Sequence, residues 1–526
     1  MLRSIRPVSG ARTWLRYHST TASRSATVLP TASASAHPAT PSPPPATAER
    51  IPQPFIPRPL ERELQLESVS TTGHDPTRST TLHFVDPSTP SHAVSLAVPN
   101  LWLRDCSIHP DHVHPASHQK LFRTTDVPRD GKLVGYGVHD VPGHGPCLVT
   151  EWSTPLATPG VDPKAVKLSV VPVKSLAALV RGGRTRAAHD GHLPPARTWD
   201  REQLARSLVR IDYRDFATSD RHRFEMLDGL VRDGIVLLRN VPTDSKAGHD
   251  TELRRVVERI GSLRRTWYGD LWDVKAEQGS RNIAYTNLDL GLHMDLTHFD
   301  HPPRYQFLHS LVNSHVVGGE SYFVDAYALA DELRVTQPAQ FHTLATEPVQ
   351  FEYRNGPHWT RFQRPTFELV AGSTHSLHAV NYSPPFQGAL PLERVNRARG
   401  PSGAAVVTSD DTDRLLELHD ALGAFARLCD DADNRWRFRH QLEPGECVVF
   451  DNRRVLHART AFEFMTPSAA AADAAAGEKV EGETTGRWLK GAYMDGDEVW
   501  SRWRVEKDNL ASSDDAKKKK GRTLFV

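Results

Sequence analysis

The sequence predicts a mainly β protein with added α-helices: a double-stranded β-helix, or jelly-roll, core with helical buttresses, preceded by a small β-rich accessory domain. Two observations predict this fold class. Helical patterns with apolar residues three and four positions apart are concentrated between about residues 200 and 260. Short strand-like runs dominate after about residue 280. The clearest of these strands are predicted at 305–312, 321–324, 376–382, 446–450 and 488–494.

The accessory domain is predicted at residues 58–185, where short alternating runs are broken by Pro and Gly. Residues 186–200 contain arginine, alanine and a double proline, and we interpret them as the connection to the next domain. The strands predicted in the accessory domain are at 79–84, 94–98 and 148–152.

Helical buttresses are predicted early in the second domain, which we place at residues 200–505. Asp220 is a suitable N-cap for the first of them, because a carboxylate can accept hydrogen bonds from the free amides of a first helical turn. The predicted elements are a helix from residue 220, a buried strand at 234–239, a helix at 251–260 and a later helix at 413–428.

The two ends of the chain differ in composition from the domains. The first 48 residues contain no Asp or Glu but several arginines and many Ser, Thr and Ala, which is typical of a mitochondrial presequence. We therefore predict a presequence and a Pro-rich disordered linker at residues 1–57. The alternative is a disordered N-terminal segment that carries no targeting signal. The lysine-rich segment 506–526 is predicted to be a disordered tail.

Composition narrows the classes of partner. The net charge is +1 over 526 residues, so no charge excess predicts binding to nucleic acid or to an anionic membrane surface. No run of about 18 apolar residues occurs, so no segment is predicted to span a membrane. The four cysteines are too few and too scattered for a disulfide framework, which favours a reducing compartment.

A His and an Asp two positions apart occur three times, beginning at His109, His293 and His298. In a strand, residues two apart project from the same face, so such a pair can present an imidazole beside a carboxylate. Context favours His293 and Asp295, because they follow a strand-like run and precede a Pro-Pro turn and further strands. Surface or loop histidines are the alternative for any one match.

His457 is the predicted third ligand, because it follows a buried strand and turn far downstream, as expected when the ligand strands of a jelly roll bracket its insertions. Two histidines and a carboxylate form a facial triad that holds iron(II) and leaves positions open for a bidentate 2-oxo acid and O₂. The distal carboxylate of that acid is best held by a guanidinium fork. Arg487 is the predicted partner, Arg459 is the second choice, and Ser321 could add a hydroxyl.

Several further motifs occur in order between about residues 90 and 505. They are Trp102-Leu-Arg-Asp105, Trp267-Tyr-Gly-Asp-Leu-Trp272, Asn282-Ile-Ala-Tyr285, His293-Met-Asp295, Gly318-Gly319, Phe450-Asp-Asn-Arg-Arg-Val-Leu-His457 and the run from Arg487 to Tyr493. In these motifs the sequence resembles the γ-butyrobetaine and trimethyllysine dioxygenases of the taurine-dioxygenase-like superfamily. The run from Leu489 to Asp497 is more similar to the butyrobetaine enzymes than to the trimethyllysine enzymes.

This resemblance implies an iron(II)- and 2-oxoglutarate-dependent enzyme that uses ascorbate and is often a homodimer. It implies hydroxylation of an unactivated C–H bond in a small trimethylammonium carboxylate, with release of succinate and CO₂. A quaternary ammonium group is best held by aromatic faces, because it forms no conventional hydrogen bond. The resemblance places Asn282 near the substrate carboxylate. It places four rings around the ammonium group, although core packing is the alternative for each: Tyr268, Trp272, Tyr285 and Tyr493.

Three departures from the family pattern bear on these roles. Leu296 stands after the metal carboxylate, where the butyrobetaine enzymes can offer another ring, so the cage is thinner. An insertion at 465–486 separates His457 from Arg487, so the role of this arginine depends on the insertion forming a loop. The proline-bearing segment 381–388 could line the pocket and change substrate choice.

The accessory domain of family members often holds zinc through cysteines that follow the Trp-Leu-Arg-Asp motif and through a later His. Here the corresponding run contains Cys106, His109 and His112, and Cys147 could complete a tetrahedral set. These four residues could therefore hold a zinc ion, although histidines stand where the family pattern has cysteines and no later His stands clearly in place. The alternative is that the domain holds no metal and folds through its core alone.

The sequence thus predicts hydroxylation of γ-butyrobetaine to carnitine, with trimethyllysine or another small zwitterion as the alternative substrate. A metal-binding jelly roll that acts as a sensor or scaffold is the alternative from another class, and the retained ligands and arginine argue against it. A zinc hydrolase would also use His and Asp ligands. No positioned general-base motif near His293 favours that reading.

Overall fold

The computed structural model divides the chain into two compact units, Met1–Gly183 and Arg184–Val526. Nearly all of the predicted presequence and linker at residues 1–57 lies outside the described part of the chain. The structure describes residues 18–19, 64–71, 78–87, 89–157, 166–181, 193–244, 251–275, 289–314, 316–390, 409–431, 435–464 and 486–522.

In its described residues, the first unit contains two antiparallel sheets and two α-helices. One sheet has the strand order β2-β3-β4 and the other β1-β5-β6-β7. In chain order the elements are β1 (His18–Ser19), β2 (Gln65–Thr71), β3 (Ser79–Asp86), β4 (Thr89–Pro99), α1 (Asn100–Asp105), β5 (Leu133–Val141), β6 (Gly145–Trp152), β7 (Leu168–Pro172) and α2 (Val173–Arg181).

Apolar side chains from both sheets and from α2 form one core in this unit. Leu82 and Phe84 of β3, Leu148 and Trp152 of β6, and Leu176 of α2 are almost completely buried in it. The strands predicted from alternating residues at 79–84, 94–98 and 148–152 are present, because one side of each run supplies this core.

The second unit combines many strands with eight helices in its described residues. In chain order the elements are α3 (Arg201–Ser207), β8 (Val209–Asp212), α4 (Tyr213–Thr218), α5 (Asp220–Asp233), β9 (Ile235–Arg239), α6 (Glu252–Glu258), β10 (Leu271–Lys275), β11 (Leu290–His293), β12 (Tyr305–Asn313), β13 (Val316–Gly318), β14 (Ser321–Asp325), α7 (Ala326–Thr336), α8 (Pro338–Thr346), β15 (Pro348–Asn355), β16 (His358–Pro365), β17 (Phe367–Leu369), β18 (Leu377–Val380), α9 (Ser409–Cys429), β19 (Phe438–His440), β20 (Cys447–Asp451), β21 (Val455–Arg459), β22 (Phe462–Phe464), β23 (Arg487–Met494) and α10 (Gly496–Arg522).

Two sheets form the centre of this unit. The larger has the order β10-β23-β12-β20-β9-β8, and the smaller has the order β11-β21-β14-β19. All neighbours are antiparallel except β8 and β9, which are parallel. Eight of these strands form the double sheet of a jelly roll, and β9 and β8 extend its larger sheet. The predicted jelly-roll core is therefore present.

The inner faces of the two sheets pack against each other. The ring of Phe323 on β14 lies 5.5 Å from that of Phe450 on β20, measured between centroids. Leu308, Val455 and Leu489 are buried in the same cluster. Because side chains alternate along a strand, the residues two and four positions after Val455 also face this interior.

Helices cover the outer faces, as predicted. Against the larger sheet, Leu230 of α5, Val256 of α6 and Trp503 of α10 share a buried cluster with Phe307. Against the smaller sheet, α7, α8 and α9 supply a second cluster around Val324 of β14. The jelly roll is thus enclosed between helical layers, which leaves its interior as the place for a ligand.

Two local predictions need correction. The N-cap of α5 is Ser219, whose hydroxyl accepts a hydrogen bond from the amide of His222 at 3.4 Å, and Asp220 is the first helical residue. Helix α10 continues to Arg522, although a disordered tail was predicted from residue 506. Trp503 and Glu506 are buried, and the alanines and lysines that follow are good helix formers. A polar, lysine-rich composition alone does not distinguish a disordered tail from a solvent-exposed helix.

In the described part of the chain, no helix combines the length and the hydropathy needed to cross a membrane.

Candidate metal and substrate site

Three side chains that are remote in sequence converge in the jelly roll. His293, Asp295 and His457 each offer one ligand atom, and these atoms lie within 4.8 Å of one another. His293 Nε2 is 3.4 Å from Asp295 Oδ1, and His457 Nε2 is 4.0 Å from Asp295 Oδ2. No other group of three His, Cys, Asp or Glu residues in the described ranges meets this distance. The predicted triad is therefore assembled.

Strand pairing brings the two imidazoles together. His293 ends β11 and pairs directly with His457 of β21, so their ring centroids lie 4.2 Å apart. The sequence placed His293 and Asp295 on one strand, but β11 ends at His293 and Asp295 lies in the turn that follows. Leu296 has a left-handed φ of +57° in this turn. The carboxylate thus reaches the histidines from a turn rather than from a strand.

The protonation states of the triad suit a divalent metal ion. His293 Nδ1 lies 2.8 Å from the Gly291 carbonyl oxygen; as the donor there, it leaves the Nε2 lone pair directed at the site. Burial, and then the neighbouring His293, lowers the pKa of His457 to about 3, so this imidazole is neutral. Burial alone would raise the pKa of Asp295, but the two histidines and the Tyr493 hydroxyl hold it well below its usual range. A neutral His457 imidazole and an ionised Asp295 carboxylate are ligand forms that suit iron(II).

Asn452 fixes the backbone of Asp295. Its Oδ1 accepts a hydrogen bond from the Asp295 amide at 2.8 Å, and its Nδ2 donates to the Asp295 carbonyl at 3.0 Å. Nδ2 also donates to the Pro303 carbonyl at 3.2 Å. Asn452 is fully buried in the turn between β20 and β21. The motif at 450–457 supported the family resemblance, but sequence reasoning assigned this asparagine no role.

Tyr493 and Trp272 form an aromatic wall beside Asp295. The Tyr493 hydroxyl donates to Asp295 Oδ2 at 2.7 Å. Its ring stacks on that of Trp272, with centroids 5.1 Å apart and planes at 29°. Trp272 pairs with Gly491 across β10 and β23, and a Cβ on this glycine would lie 2.3 Å from the indole. Two predicted cage residues therefore adjoin the metal ligands, and Gly491 leaves room for the indole.

Tyr268, a third predicted cage residue, belongs to an aromatic group that sequence reasoning did not find. Its ring centroid lies 5.9 Å from that of Trp267. Burial raises the pKa of Tyr268, and the neighbouring Tyr353 and the charge of Asp295 add to the rise. The members come from separate elements that no sequence spacing links. Trp267 stacks nearly parallel on three rings, with centroids 4.7 to 5.7 Å away: His358, Tyr353 and His298.

His298, which begins another His-x-Asp match, is part of this aromatic group. Its Nδ1 lies 2.7 Å from Thr360 Oγ1, and burial lowers its pKa to about 4. Asp300 is exposed. Phe386, in the proline-bearing segment 381–388, approaches the His298 ring edge-on at 5.6 Å. The segment therefore contacts this aromatic group.

Two arginines lie close together near the inner face of the sheets. Arg459 of β21 pairs with Ser321 of β14. Arg487 begins β23, and its Nη2 donates to the Gly319 carbonyl at 3.4 Å. The two guanidinium carbons lie 4.9 and 5.8 Å from the centroid of the Phe462 ring. All three residues predicted to bind the co-substrate are thus neighbours.

This arginine pair fits an anion. Burial, and then the positive charge of Arg459, lowers the pKa of Arg487 to about 9. Two buried like charges oppose each other, and a carboxylate between them would relieve that repulsion and accept charge-assisted hydrogen bonds. The pair therefore supplies the cation that a 2-oxo acid requires.

Asn282 and Tyr285 lie outside the described residues, so their predicted substrate contacts stay predictions. The same holds for the predicted insertion at 465–486, of which Gly486 alone is described.

The four residues predicted to bind zinc in the first unit do not form a metal-binding group. Cys147 is fully buried on β6, and burial raises the pKa of the Cys106 thiol to about 11, which keeps that thiol protonated. The His109 and His112 rings lie 5.4 Å apart, and His112 Nδ1 lies 2.9 Å from Ser107 Oγ. These side chains pack and hydrogen-bond within the unit, and the zinc site stays a prediction.

Comparisons with known proteins bear on the same region. The family described as "Taurine catabolism dioxygenase TauD, TfdA family" matches residues 192–493. Dioxygenase str8 from Strobilurus tenacellus is 36% identical over 405 residues, covering 77% of this chain and 84% of that protein. Gamma-butyrobetaine dioxygenase from Pseudomonas sp. (strain AK-1) is 29% identical over 405 residues, with coverages of 77% and 88%. Mitochondrial trimethyllysine dioxygenase from Gallus gallus is 29% identical over 277 residues, with coverages of 51% and 59%.

The family match extends over more than half of the chain. It contains the three convergent ligands, both arginines and the wall formed by Trp272 and Tyr493. The jelly roll, the assembled triad and the family match therefore lead to one conclusion: this chain belongs to the TauD/TfdA family of dioxygenases.

Proposed function

We propose that this protein is an iron(II)- and 2-oxoglutarate-dependent dioxygenase that hydroxylates a small trimethylammonium carboxylate, with γ-butyrobetaine as the preferred substrate. The observation that carries the proposal is the 2.7 Å hydrogen bond from Tyr493 to Asp295. This bond joins the wall of Tyr493 and Trp272 directly to a metal ligand, so a substrate group that packs against these rings would lie beside the metal. Relatives named gamma-butyrobetaine dioxygenase support this substrate.

Iron(II), 2-oxoglutarate and O₂ supply the chemistry when bound: one oxygen atom enters a C–H bond, and the other enters succinate as CO₂ leaves. The protein supplies position. His293, Asp295 and His457 would hold the metal from one side and leave the other side for ligands. Asn452 keeps the turn that carries Asp295 in place through hydrogen bonds to its amide and carbonyl.

Arg487 and Arg459 would hold the distal carboxylate of 2-oxoglutarate. A guanidinium offers paired N–H donors whose geometry matches a carboxylate, and burial strengthens such a contact. Ser321 pairs with Arg459 across β14 and β21 and can add a hydroxyl donor. The co-substrate would thus be oriented before the substrate enters.

The aromatic wall would orient the substrate. A trimethylammonium cation is attracted to the faces of Trp and Tyr rings within about 6 Å. Trp272 and Tyr493 provide two such faces next to the metal ligands, and Tyr268 adds a ring in the neighbouring group. Fixing the cation at one end selects which C–H bond faces the metal, and such placement accounts for selectivity.

The proposal is tested by succinate release from the full-length protein supplied with iron(II), ascorbate and 2-oxoglutarate. We expect faster release with γ-butyrobetaine than with trimethyllysine. Equal inactivity on both compounds would rule out this substrate class, whereas slow 2-oxoglutarate decarboxylation without substrate tests the oxygenase chemistry separately. Preference for trimethyllysine would favour the alternative, which relatives named trimethyllysine dioxygenase also support.

The co-substrate role is tested with a pair of arginine variants. Arg487→Ala should raise the KM for 2-oxoglutarate by at least about 30-fold, because truncating one partner of a buried charge pair costs about 2 kcal/mol or more. Arg459→Ala is the matched comparison and should have a smaller effect. If Arg459→Ala alone raises this KM, the assignment of the two arginines is reversed.

We also propose import into mitochondria, which the acid-free, arginine-containing first 48 residues support. A relative is named as mitochondrial. Residues 1–57 fused to a fluorescent protein should direct it to mitochondria. Diffuse fluorescence throughout the cell would contradict the proposal.

A further inference from the structure

Gln306 is a buried amide on the inner face of the larger sheet. It is the second residue of β12 and is 1% exposed. It pairs with Tyr493 of β23 on one side and with Phe450 of β20 on the other. Directly opposed residues of antiparallel strands project from the same face of a sheet. Gln306 therefore projects between Tyr493 and Phe450.

Both of these neighbours contact metal ligands. The Tyr493 hydroxyl donates to Asp295 at 2.7 Å. The Phe450 ring centroid lies 4.8 Å from that of His457. Gln306 consequently faces the same interior as the metal triad, between a neighbour of the carboxylate ligand and a neighbour of an imidazole ligand.

The carboxamide oxygen of Gln306 is not accounted for by contacts within the described part of the protein. Its Oε1 is buried and has no hydrogen-bond partner among the residues that the structure describes. A buried polar atom without a partner is unfavourable, and native interiors contain few of them. Leu308, the next inward-facing residue of β12, packs in the apolar interior, so this strand accommodates an aliphatic side chain there. A bound molecule would explain why an amide stands at residue 306.

We propose that Gln306 is a co-substrate-binding residue, whose carboxamide hydrogen-bonds the metal-end carboxylate of the 2-oxo acid. This inference rests on the proposed function. Rotation of the terminal bond lets a carboxamide present either its oxygen or its NH₂ group, and the NH₂ group suits a carboxylate. The co-substrate carries a carboxylate at each end. The arginine pair takes the distal one, and Gln306 takes the one beside the metal.

The position of Gln306 along β12 agrees with this division. β23 has Arg487 at its start, paired with Asn313, and Tyr493 near its end, paired with Gln306. The arginine therefore lies at one end of the β12–β23 pair, and the residues beside the metal ligands lie at the other end. Gln306 stands at the metal end.

The test uses full-length protein loaded with Mn(II), which replaces iron(II) and avoids turnover. Thermal unfolding and calorimetric titration with 2-oxoglutarate are compared for the wild type and Gln306→Leu. Without 2-oxoglutarate, we expect Gln306→Leu to unfold at the same temperature as the wild type or a higher one, because an unpaired buried atom is removed. With it, the Kd should rise at least about tenfold and the stabilisation should shrink. Gln306→Glu, which presents a negative charge of similar shape, should weaken binding further.

Gln350→Leu is the matched control. Gln350 is also buried, but its Nε2 already donates to Glu352 Oε2 at 3.2 Å, and it lies on β15 in a different sheet. We expect this variant to unfold at a lower temperature and to bind 2-oxoglutarate with the wild-type Kd.

The outcomes separate this inference from the proposed function. A wild-type protein that does not respond to 2-oxoglutarate contradicts both. A wild-type response that Gln306→Leu retains in full overturns the Gln306 proposal alone. A loss of stability of Gln306→Leu in the absence of ligand would also overturn the Gln306 proposal, because it would show that the amide stabilises the fold. An effect on γ-butyrobetaine binding without one on 2-oxoglutarate would overturn the co-substrate assignment.

Discussion

Two segments of this chain begin from the same His-x-Asp pattern and have different structures. In the first unit, His109 Nδ1 lies 3.7 Å from Asp111 Oδ2. In the second unit, His293 Nε2 lies 3.4 Å from Asp295 Oδ1. The local pair is almost equally close in both, yet only the second pair gains His457, because β11 pairs with β21. The local sequence alone brings the His and the Asp together, whereas the three-residue metal group also requires the pairing of β11 with β21.

The residues around the two His-x-Asp segments also differ. His112, which follows the first pair, is fully buried, contacts Ser107, and packs edge-on against Phe122 at 5.4 Å between centroids. In the second unit Asn452 and Tyr493 direct the backbone and the carboxylate of Asp295 toward the interior. A histidine-rich segment therefore becomes a metal site when neighbouring groups orient its ligands, and becomes core when they pack against it.

The largest expected effect comes from breaking the second pair. Asp295→Ala removes one of three ligands and should reduce iron(II) affinity by more than about 100-fold, beyond the loss typical of residues that merely orient a ligand. Turnover should be lost while the fold is retained. Calorimetric titration with Mn(II) and circular dichroism measure these effects.

Asp111→Ala is the matched control for this prediction. It removes the carboxylate of the other His-x-Asp pair and should leave metal affinity and turnover unchanged. Equal losses in the two variants would contradict the distinction between the segments.

A smaller effect is expected from Asn452→Ala, which removes the hydrogen bonds to the amide and carbonyl of Asp295. Metal affinity should fall about 10- to 100-fold, the range typical of residues that orient a ligand. The control is Asn100→Ala in the first unit, which also removes a buried asparagine, one whose Oδ1 accepts from Thr80 Oγ1 at 2.7 Å. That variant should lose stability without losing metal affinity; the same affinity loss in both would mean that global destabilisation explains the result.

Tyr493→Phe should produce a still smaller change, because it removes the hydroxyl that donates to Asp295 and keeps the aromatic face. Metal affinity should fall by about tenfold, at the lower end of that range, with little change in the KM for γ-butyrobetaine. Trp272→Ala should show the converse pattern, with a raised substrate KM and unchanged metal affinity. Calorimetry and steady-state kinetics of the two variants give this comparison, and identical profiles would argue against separate roles.

The last effect concerns pH and the first unit. Burial, and then the charges of His109 and Arg104, lowers the pKa of His112 to about 4. The folded state therefore keeps this imidazole neutral, so its contribution to stability is complete above about pH 6.5 and is lost as the pH falls toward 4. Between pH 7 and pH 5 the unit should lose up to about 2 kcal/mol.

Hydrogen exchange of peptides covering residues 107–122, at pH 7 and pH 5 and corrected for intrinsic rates, measures this loss. His112→Leu should remove most of the pH dependence, whereas His114→Leu, at an exposed position of the same segment, should retain it. A pH dependence that survives in His112→Leu would assign it to another group.

Much of the architecture could be predicted from the sequence, because alternating apolar runs mark strands whose two faces meet different surroundings. His457 could be predicted because it follows a buried run that became β20 and a turn. The stack around Trp267 could not, since Tyr353 and His298 reach it from elements that only tertiary packing joins. The spacing of the candidate zinc ligands could not show that Cys147 is buried in a core. The cap of α5 differed by one position because Ser219 and Asp220 are both good caps.

The glycine beneath the indole of Trp272 has a consequence for how substrate range can change. A methyl group at Gly491 would lie 2.3 Å from the indole, so the ring would have to move. Because Trp272 stacks on Tyr493, such a movement would change the aromatic wall beside Asp295. Under the substrate role proposed for this wall, residue 491 would influence which molecules fit against it.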